Sequence, residues 1–296
     1  MLKQIEAGSL SIAYDESGDA SGWPVVLLHG FPYDILAYEN VSPLLVARGA
    51  RVIVPYLRGY GPTRFLSDST LRSGEQAVLG NDLRLLLDAL KLEKAILGGF
   101  DWGGRAACIV AALWPERCAG LVTANGYSIQ NIAKSLEPSA PEREYAHWYQ
   151  YYFHNERGRA GLTQNRREIC RLLWTLWSPE WRFGAETFER SALAFDNPDF
   201  VEVVIHSYRH RYGLVIGDAS VAGIEQALAA QPVIAVPAIV LEGEADTVDP
   251  ALGADGHRRH FLGHFAHRLL PHIGHNIPQE APEPFAEAIV ALHAQC

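Results

Sequence analysis

Short, nearly continuous apolar runs punctuate both ends of the chain and are missing from its middle. Trp23-Pro-Val-Val-Leu-Leu28, Arg51-Val-Ile-Val54, Lys94-Ala-Ile-Leu-Gly-Gly-Phe100, Val236-Pro-Ala-Ile-Val-Leu-Glu242 and Phe265-Ala-His-Arg-Leu-Leu270 are too short for helices and predict buried strands. Helical periods lie over Gly103–Trp114, stopped by Pro115, and over Pro282–His293. This alternation predicts an α/β protein with a mostly parallel central sheet flanked by helices. Between Gly126 and about Pro232 the strand pattern stops, and polar-aromatic helices are predicted over Pro141–His154, Asn165–Trp177, Ala185–Leu193 and Pro198–His210. The expected organisation is a core of residues 1–127 and 232–296 with an inserted helical cap at 128–231.

Where the third of these strands ends, Gly99-Phe100-Asp101-Trp102-Gly103 has the small-x-nucleophile-x-small spacing of a nucleophile elbow, with a carboxylate at its centre. Glycines at 99, 103 and 104 let strand and helix approach closely, and the helix N-terminus favours an anion. Asp101 alone reads equally well as a helix N-cap. Its partners decide: an elbow nucleophile needs an acid and then a histidine later in the chain, each past a strand end. Asp246, in Gly243-Glu-Ala-Asp246, and His275, on the Gly274 loop before the last helix, fill those places. Their rivals are Glu242 and Glu244 for the acid and His272 for the base; Asp246 stands furthest beyond its strand, and His275 lies on the more mobile loop.

Composition narrows the function. The 296 residues, 25 basic and 34 acidic, carry a formal charge of −9, which opposes nucleic acid and anionic membranes and favours a neutral, partly apolar small molecule. No run of about 18 or more apolar residues occurs, and Met1-Leu-Lys-Gln-Ile-Glu6 lacks the form of a signal peptide, so a cytoplasmic protein is expected. Cys108, Cys118, Cys170 and Cys296 have neither disulfide nor metal spacing. His257, His260, His264 and His267 are spaced for a helix but run into the strand at Phe265, so they cannot converge on a metal. No metal or other cofactor is implied, and nothing sets an oligomeric state.

Taken together, His29-Gly-Phe-Pro32, Tyr56-Leu-Arg-Gly-Tyr-Gly61, Gly99–Gly104, Gly243–Asp246 and Gly274-His275 resemble an α/β-hydrolase over about residues 10–130 and 232–296. More narrowly they resemble its epoxide hydrolase and haloalkane or haloacetate dehalogenase branch, whose nucleophile is aspartate. The resemblance implies that the backbone N–H groups of Phe31 and Trp102 form an oxyanion hole, with His29 holding the loop. It also implies that Tyr149-Gln-Tyr-Tyr-Phe153 and Ile205-His-Ser-Tyr-Arg-His210 carry the paired tyrosines of soluble epoxide hydrolases. Tyr149 and Tyr208 are the expected pair, with Tyr151, Tyr152 and Tyr212 as alternatives for the cap donor. Haloacetate dehalogenases carry arginine just after the nucleophile and again three residues later; here the first is Trp102 and only Arg105 remains. His147-Trp148 is similar to those enzymes' halide pocket, which keeps dehalogenation as the second reading. Phe31, Trp102, Trp148 and Phe153, with Trp174 or Trp177, are expected as apolar walls. A ligand receptor on the same fold is a third reading, opposed by the intact catalytic set.

Overall fold

The computed structural model describes residues 2–295. Nine strands form one sheet: β1 (Leu2–Ala7), β2 (Leu10–Ser17), β3 (Trp23–Leu28), β4 (Ala50–Pro55), β5 (Arg64–Phe65), β6 (Ala95–Gly99), β7 (Cys118–Ala124), β8 (Ala238–Gly243) and β9 (Phe265–Leu270). Their order is β1-β2-β4-β3-β6-β7-β8-β9, with β5 beside β2. β1, β2 and β5 pair antiparallel at one edge, and from β4 to β9 every pairing is parallel. The α/β class expected from the sequence is the fold found.

The apolar runs become the central strands because both faces of a parallel sheet are covered. Every residue of β6 and β8 is buried, as are the last four of β3. Helices Gln76–Ala89 and Asp101–Leu113 pack so closely that a Cβ on Gly80 would lie 2.2 Å from Ile109. Between β7 and β8 the described chain is helical, without a strand. No described helix is long and apolar enough to cross a membrane.

The five expected strands are β3, β4, β6, β8 and β9, while β1, β2, β5 and β7 lie outside the expectation. Pro141–His154 is two short helices, Pro141–Ala146 and Trp148–Tyr152, broken at His147, whose φ of −92° and ψ of 12° leave the helical region. A further helix, Glu156–Gln164, was not expected because Gly158 and Gly161 weaken its pattern. Both glycines are there for closeness: a Cβ at Gly158 would sit 1.7 Å from the Tyr152 carbonyl oxygen. The helices Arg166–Trp177, Ala185–Ala192 and Phe200–His210 begin or end within two residues of expectation, and Ala222–Ala229 is a further helix that was not expected.

Candidate active site

Five parallel strands deliver their C-terminal loops to one edge of the sheet, where ligands of such sheets bind. β3 leads to Phe31, β6 to Asp101, β7 to Asn125, β8 to Asp246 and β9 to His275. At the sharp turn after β6, Asp101 takes a φ of 49°, a left-handed conformation rare for a non-glycine residue. The turn is possible because its neighbours lack side chains. A Cβ on Gly103 would lie 2.1 Å from the Leu28 carbonyl oxygen, and one on Gly30 would lie 2.4 Å from Asp101 Cβ.

Asp101 Oδ1 accepts a hydrogen bond from the Phe31 amide at 2.7 Å. The Trp102 amide, at the head of the following helix, makes no such bond. Oδ2 lies 3.9 Å from His275 Nε2, too far for a direct hydrogen bond. That nitrogen is buried and has no partner among the described residues. On the other side of the ring, His275 Nδ1 lies 2.8 Å from Asp246 Oδ2. Asp246 is itself fixed: its Oδ1 accepts from the Val248 and Asp249 amides, both at 2.9 Å, and its Oδ2 accepts from Asn125 Nδ2 at 2.5 Å. The three residues picked from the sequence thus stand in line, with an open nitrogen facing an open carboxylate oxygen.

The electrostatics follow from that line. Burial disfavours charge on Asp101, but the adjacent His275, with Arg105 and the Phe31 amide, outweighs it and lowers the carboxyl below its usual range. Burial likewise opposes charge on His275, but Asp246 and Asp101 reverse this and raise it well above an ordinary histidine. His29, by contrast, is pulled down to about 4 by burial and stays neutral. Its Nε2 accepts from the Leu57 amide at 3.1 Å, tying the loop after β3 to the loop after β4.

Glu242 has partners other than His275. It is buried with its oxygens on His257 Nε2 and His267 Nε2, each at 2.6 Å, and on the Leu252 and Gly253 amides. Two of the four spaced histidines therefore meet on a carboxylate, while His260 stacks on Tyr127. Among the described residues no cluster of histidine, cysteine or carboxylate side chains is arranged to hold a metal. His272 bonds the exposed Glu180 instead of the site.

Over this edge lies a cavity of about 240 Å³, lined by Asp101 and His275 below and by Arg105, His147, Tyr149 and Arg211 around it. Tyr149 and Tyr208 stand edge to face, ring centres 5.3 Å apart. Burial raises both phenols, and the Asp101 charge raises both further, so they stay protonated beside that carboxylate. Of the two, only Tyr149 lines the cavity. Tyr151 hydrogen-bonds Glu144, and Tyr212 bonds Gln150.

Several expected pocket residues lie elsewhere. Phe153 is fully buried against Phe31, Tyr149 and Tyr208. Trp148 leans edge-on to Tyr149 from outside. The Phe31 and Trp102 rings stack on each other, and Trp174 donates to the Pro32 carbonyl at 2.8 Å. Trp177 packs against His275 and Tyr149. These aromatics form the dry backing of the site rather than its wall, because their rings pack on one another in the core between the sheet and the helices that follow β7. The wall is polar, and sequence reasoning missed Arg211, Asn125, Asp249, Gln130 and Gln150. Arg211 did carry a signal, lying three residues after Tyr208.

The chain belongs to the α/β-hydrolase fold family, whose model matches residues 24–282. Within it, the protein is similar along 99% of its length, at 48% identity and a TM-score of 0.97, to 97% of a crystal structure of a "putative epoxide hydrolase" from Klebsiella pneumoniae subsp. pneumoniae. It is 34% identical over 155 residues to epoxide hydrolase B of Mycobacterium tuberculosis, covering 47% of this chain and 42% of that one. It is also 37% identical over 122 residues to a haloalkane dehalogenase of Mycobacterium marinum, covering 40% and 39%. The chain thus matches less than half the length of these curated relatives.

Proposed function

We propose that this protein is a hydrolase that opens an epoxide to a vicinal diol through an ester on Asp101. The observation that carries the reading is the open His275 Nε2 facing Asp101 Oδ2 across 3.9 Å, with Asp101 Oδ1 held by the Phe31 amide. Relatives named epoxide hydrolase support it.

Asp101 is an anion at neutral pH, and its free oxygen, Oδ2, attacks the less hindered ring carbon in line. The carbon–oxygen bond breaks toward the ring oxygen, which takes a proton from the Tyr149 and Tyr208 pair. Oδ1 becomes the ester carbonyl oxygen, already held by the Phe31 amide. Esterification removes one of the two negative charges that raise His275, so the ring gives up its proton to solvent and Nε2 can act as a base. It takes a proton from a water, which attacks the ester carbonyl, and the Phe31 and Trp102 amides hold the tetrahedral oxyanion. Collapse expels the diol oxygen, protonated by His275, and the second water proton restores the tyrosine. We take residues 128–231 as the cap that excludes bulk water. The buried thiols of Cys108, Cys118 and Cys170 suit a reducing, cytoplasmic setting; Cys296 lies outside the described residues.

Displacement of halide by the same aspartate is the second reading, favoured by His147 in the cavity wall and by the haloalkane dehalogenase relative. A receptor would have no use for a histidine poised this way beside an anion. The experiment is a mass spectrum of His275→Gln after incubation with each substrate class. An adduct of the whole epoxide on Asp101 is expected; an adduct of a haloacid less hydrogen halide, with no epoxide adduct, would replace this reading by the second.

A further inference from the structure

Two arginines face the cavity without a carboxylate partner. Arg105 lies four residues after the nucleophile, on the same side of its helix, and is 7% exposed. Its Nε donates to the Ser128 carbonyl at 3.0 Å, and no described carboxylate lies within 4.0 Å of its guanidinium. Arg211 enters from the cap, just past the helix Phe200–His210, with its guanidinium 4.8 Å above the Tyr208 ring. Its Nη1 donates to Gln150 Oε1 at 3.1 Å, and it too lacks a described carboxylate neighbour. The third arginine in the wall, Arg143, is by contrast neutralised by Asp249 at 3.3 Å. Arg105 is buried and Arg211 half-buried, and Asp101 and Asp249 act on Arg105 only from beyond ion-pair distance; charged groups withdrawn from water are ordinarily paired, so two guanidinium groups on one small space, neither in contact with a carboxylate, define a place for a further anion.

We propose that the substrate carries a carboxylate, gripped between Arg105 of the core and Arg211 of the cap while its epoxide ring lies over Asp101. This names the substrate class of the reading above and rests on it for the reaction, though not for the binding. The planar forks of two guanidinium groups match a carboxylate, and Gln130 and Gln150 orient the Arg211 side. Each arginine also repels the other: burial, and then Arg211, brings Arg105 down to about 10, still charged at neutral pH. His147, pulled down to about 4 by burial and the nearby Arg143 and Arg211, adds no charge of its own. At about 240 Å³ the cavity is smaller than a typical drug-sized pocket, which suits a short epoxy acid. The net charge of −9 does not oppose this, because surface charges beyond roughly 8–10 Å are screened by salt while the arginines are in contact.

The test separates binding from reaction. Calorimetry with butyrate and with butyramide is run on the wild type, Arg211→Gln and Arg211→Lys, with melting curves to check folding. Butyrate is expected to bind at least tenfold better than butyramide, and Arg211→Gln to lower its affinity roughly 10–100-fold, with Arg211→Lys in between. Turnover is then compared for a short epoxy acid and its primary amide, where the acid-to-amide ratio of kcat/KM is expected to fall in Arg211→Gln. Equal binding of butyrate and butyramide, or an unchanged ratio, overturns the proposal. If butyrate is preferred but neither epoxide is opened, the anion site stands and the epoxide reading falls. If both epoxides are opened equally well, the reverse holds.

Discussion

Asp246→Asn keeps the size of the acid and changes one atom, and the structure says which one. Oδ1 faces two backbone amides, of Val248 and Asp249, so the new side chain must place its oxygen there. Its NH₂ then takes the Oδ2 position, against His275 Nδ1 and Asn125 Nδ2. Asn125 can adapt, because its own Oδ1 is buried without a partner and a flip would let it accept from the new amide. The fold should therefore survive. His275 cannot adapt without loss: its Nδ1 must become the acceptor, which puts the proton on Nε2, the nitrogen that should take a proton from water. The same change in a serine-protease triad lowers kcat by about 10⁴, or about 5.4 kcal/mol at 1.36 kcal/mol per factor of ten. The attack by Asp101 needs no base and should lose far less. Rapid-quench kinetics on an epoxide should show a burst of one equivalent of ester per site, followed by hydrolysis slowed by about three to four orders of magnitude. Steady turnover within tenfold of the wild type, or slowing without a burst, would refute the reasoning.

Three further outcomes follow from the site. Because Asp101 is lowered below its usual range and His275 is raised, the alkylation step should be flat between about pH 5 and 8, while ester hydrolysis should rise with pH as His275 loses its proton; hydrolysis that falls with pH in single-turnover measurements would contradict this. Tyr208→Phe should slow alkylation about 10–100-fold, Tyr149 remaining as donor, and leave the rate of ester hydrolysis nearly unchanged; an unchanged alkylation rate would remove Tyr208 from the reaction. Glu242, brought to about 2 by its histidine and amide partners despite burial, adds stability that is complete above the ordinary value of 4.5 and lost as pH falls toward 2. Glu242→Gln should accordingly cost about 3–5 kcal/mol in denaturant unfolding at pH 7, and a loss below 1 kcal/mol would show that the buried carboxylate is not holding the loop after β8.

The core of the site was legible because its chemistry sits at strand ends, and strand ends are marked in the sequence by the change from apolar runs to glycine and polar residues. Asp101, Asp246 and His275 could be named from that grammar, and the structure places them in line. Glu242 was separable as a rival since it still belongs to the strand, where its side chain is buried on His257 and His267. The segment between β7 and β8 was legible as helices but not as a surface. Which face of Phe200–His210 meets the core, and that Arg211 just beyond it turns back over Tyr208, depend on packing between elements far apart in the chain. The same holds for the aromatics. Their number was plain, but their partners were not, and Phe31, Trp102 and Phe153 close on one another and leave the wall to arginine, glutamine and histidine. The break at His147 was hidden as well, because both halves of Pro141–His154 have helical composition.

Asp101 as the nucleophile is tested most directly by a single turnover in water labelled with heavy oxygen, using enzyme in excess over epoxide. If the ester forms on Asp101 and water attacks its carbonyl, the label should appear in the Asp101 carboxylate and not in the first diol released. A diol labelled in that first turnover, with Asp101 unlabelled, would mean that water attacks the epoxide directly, and would contradict the account.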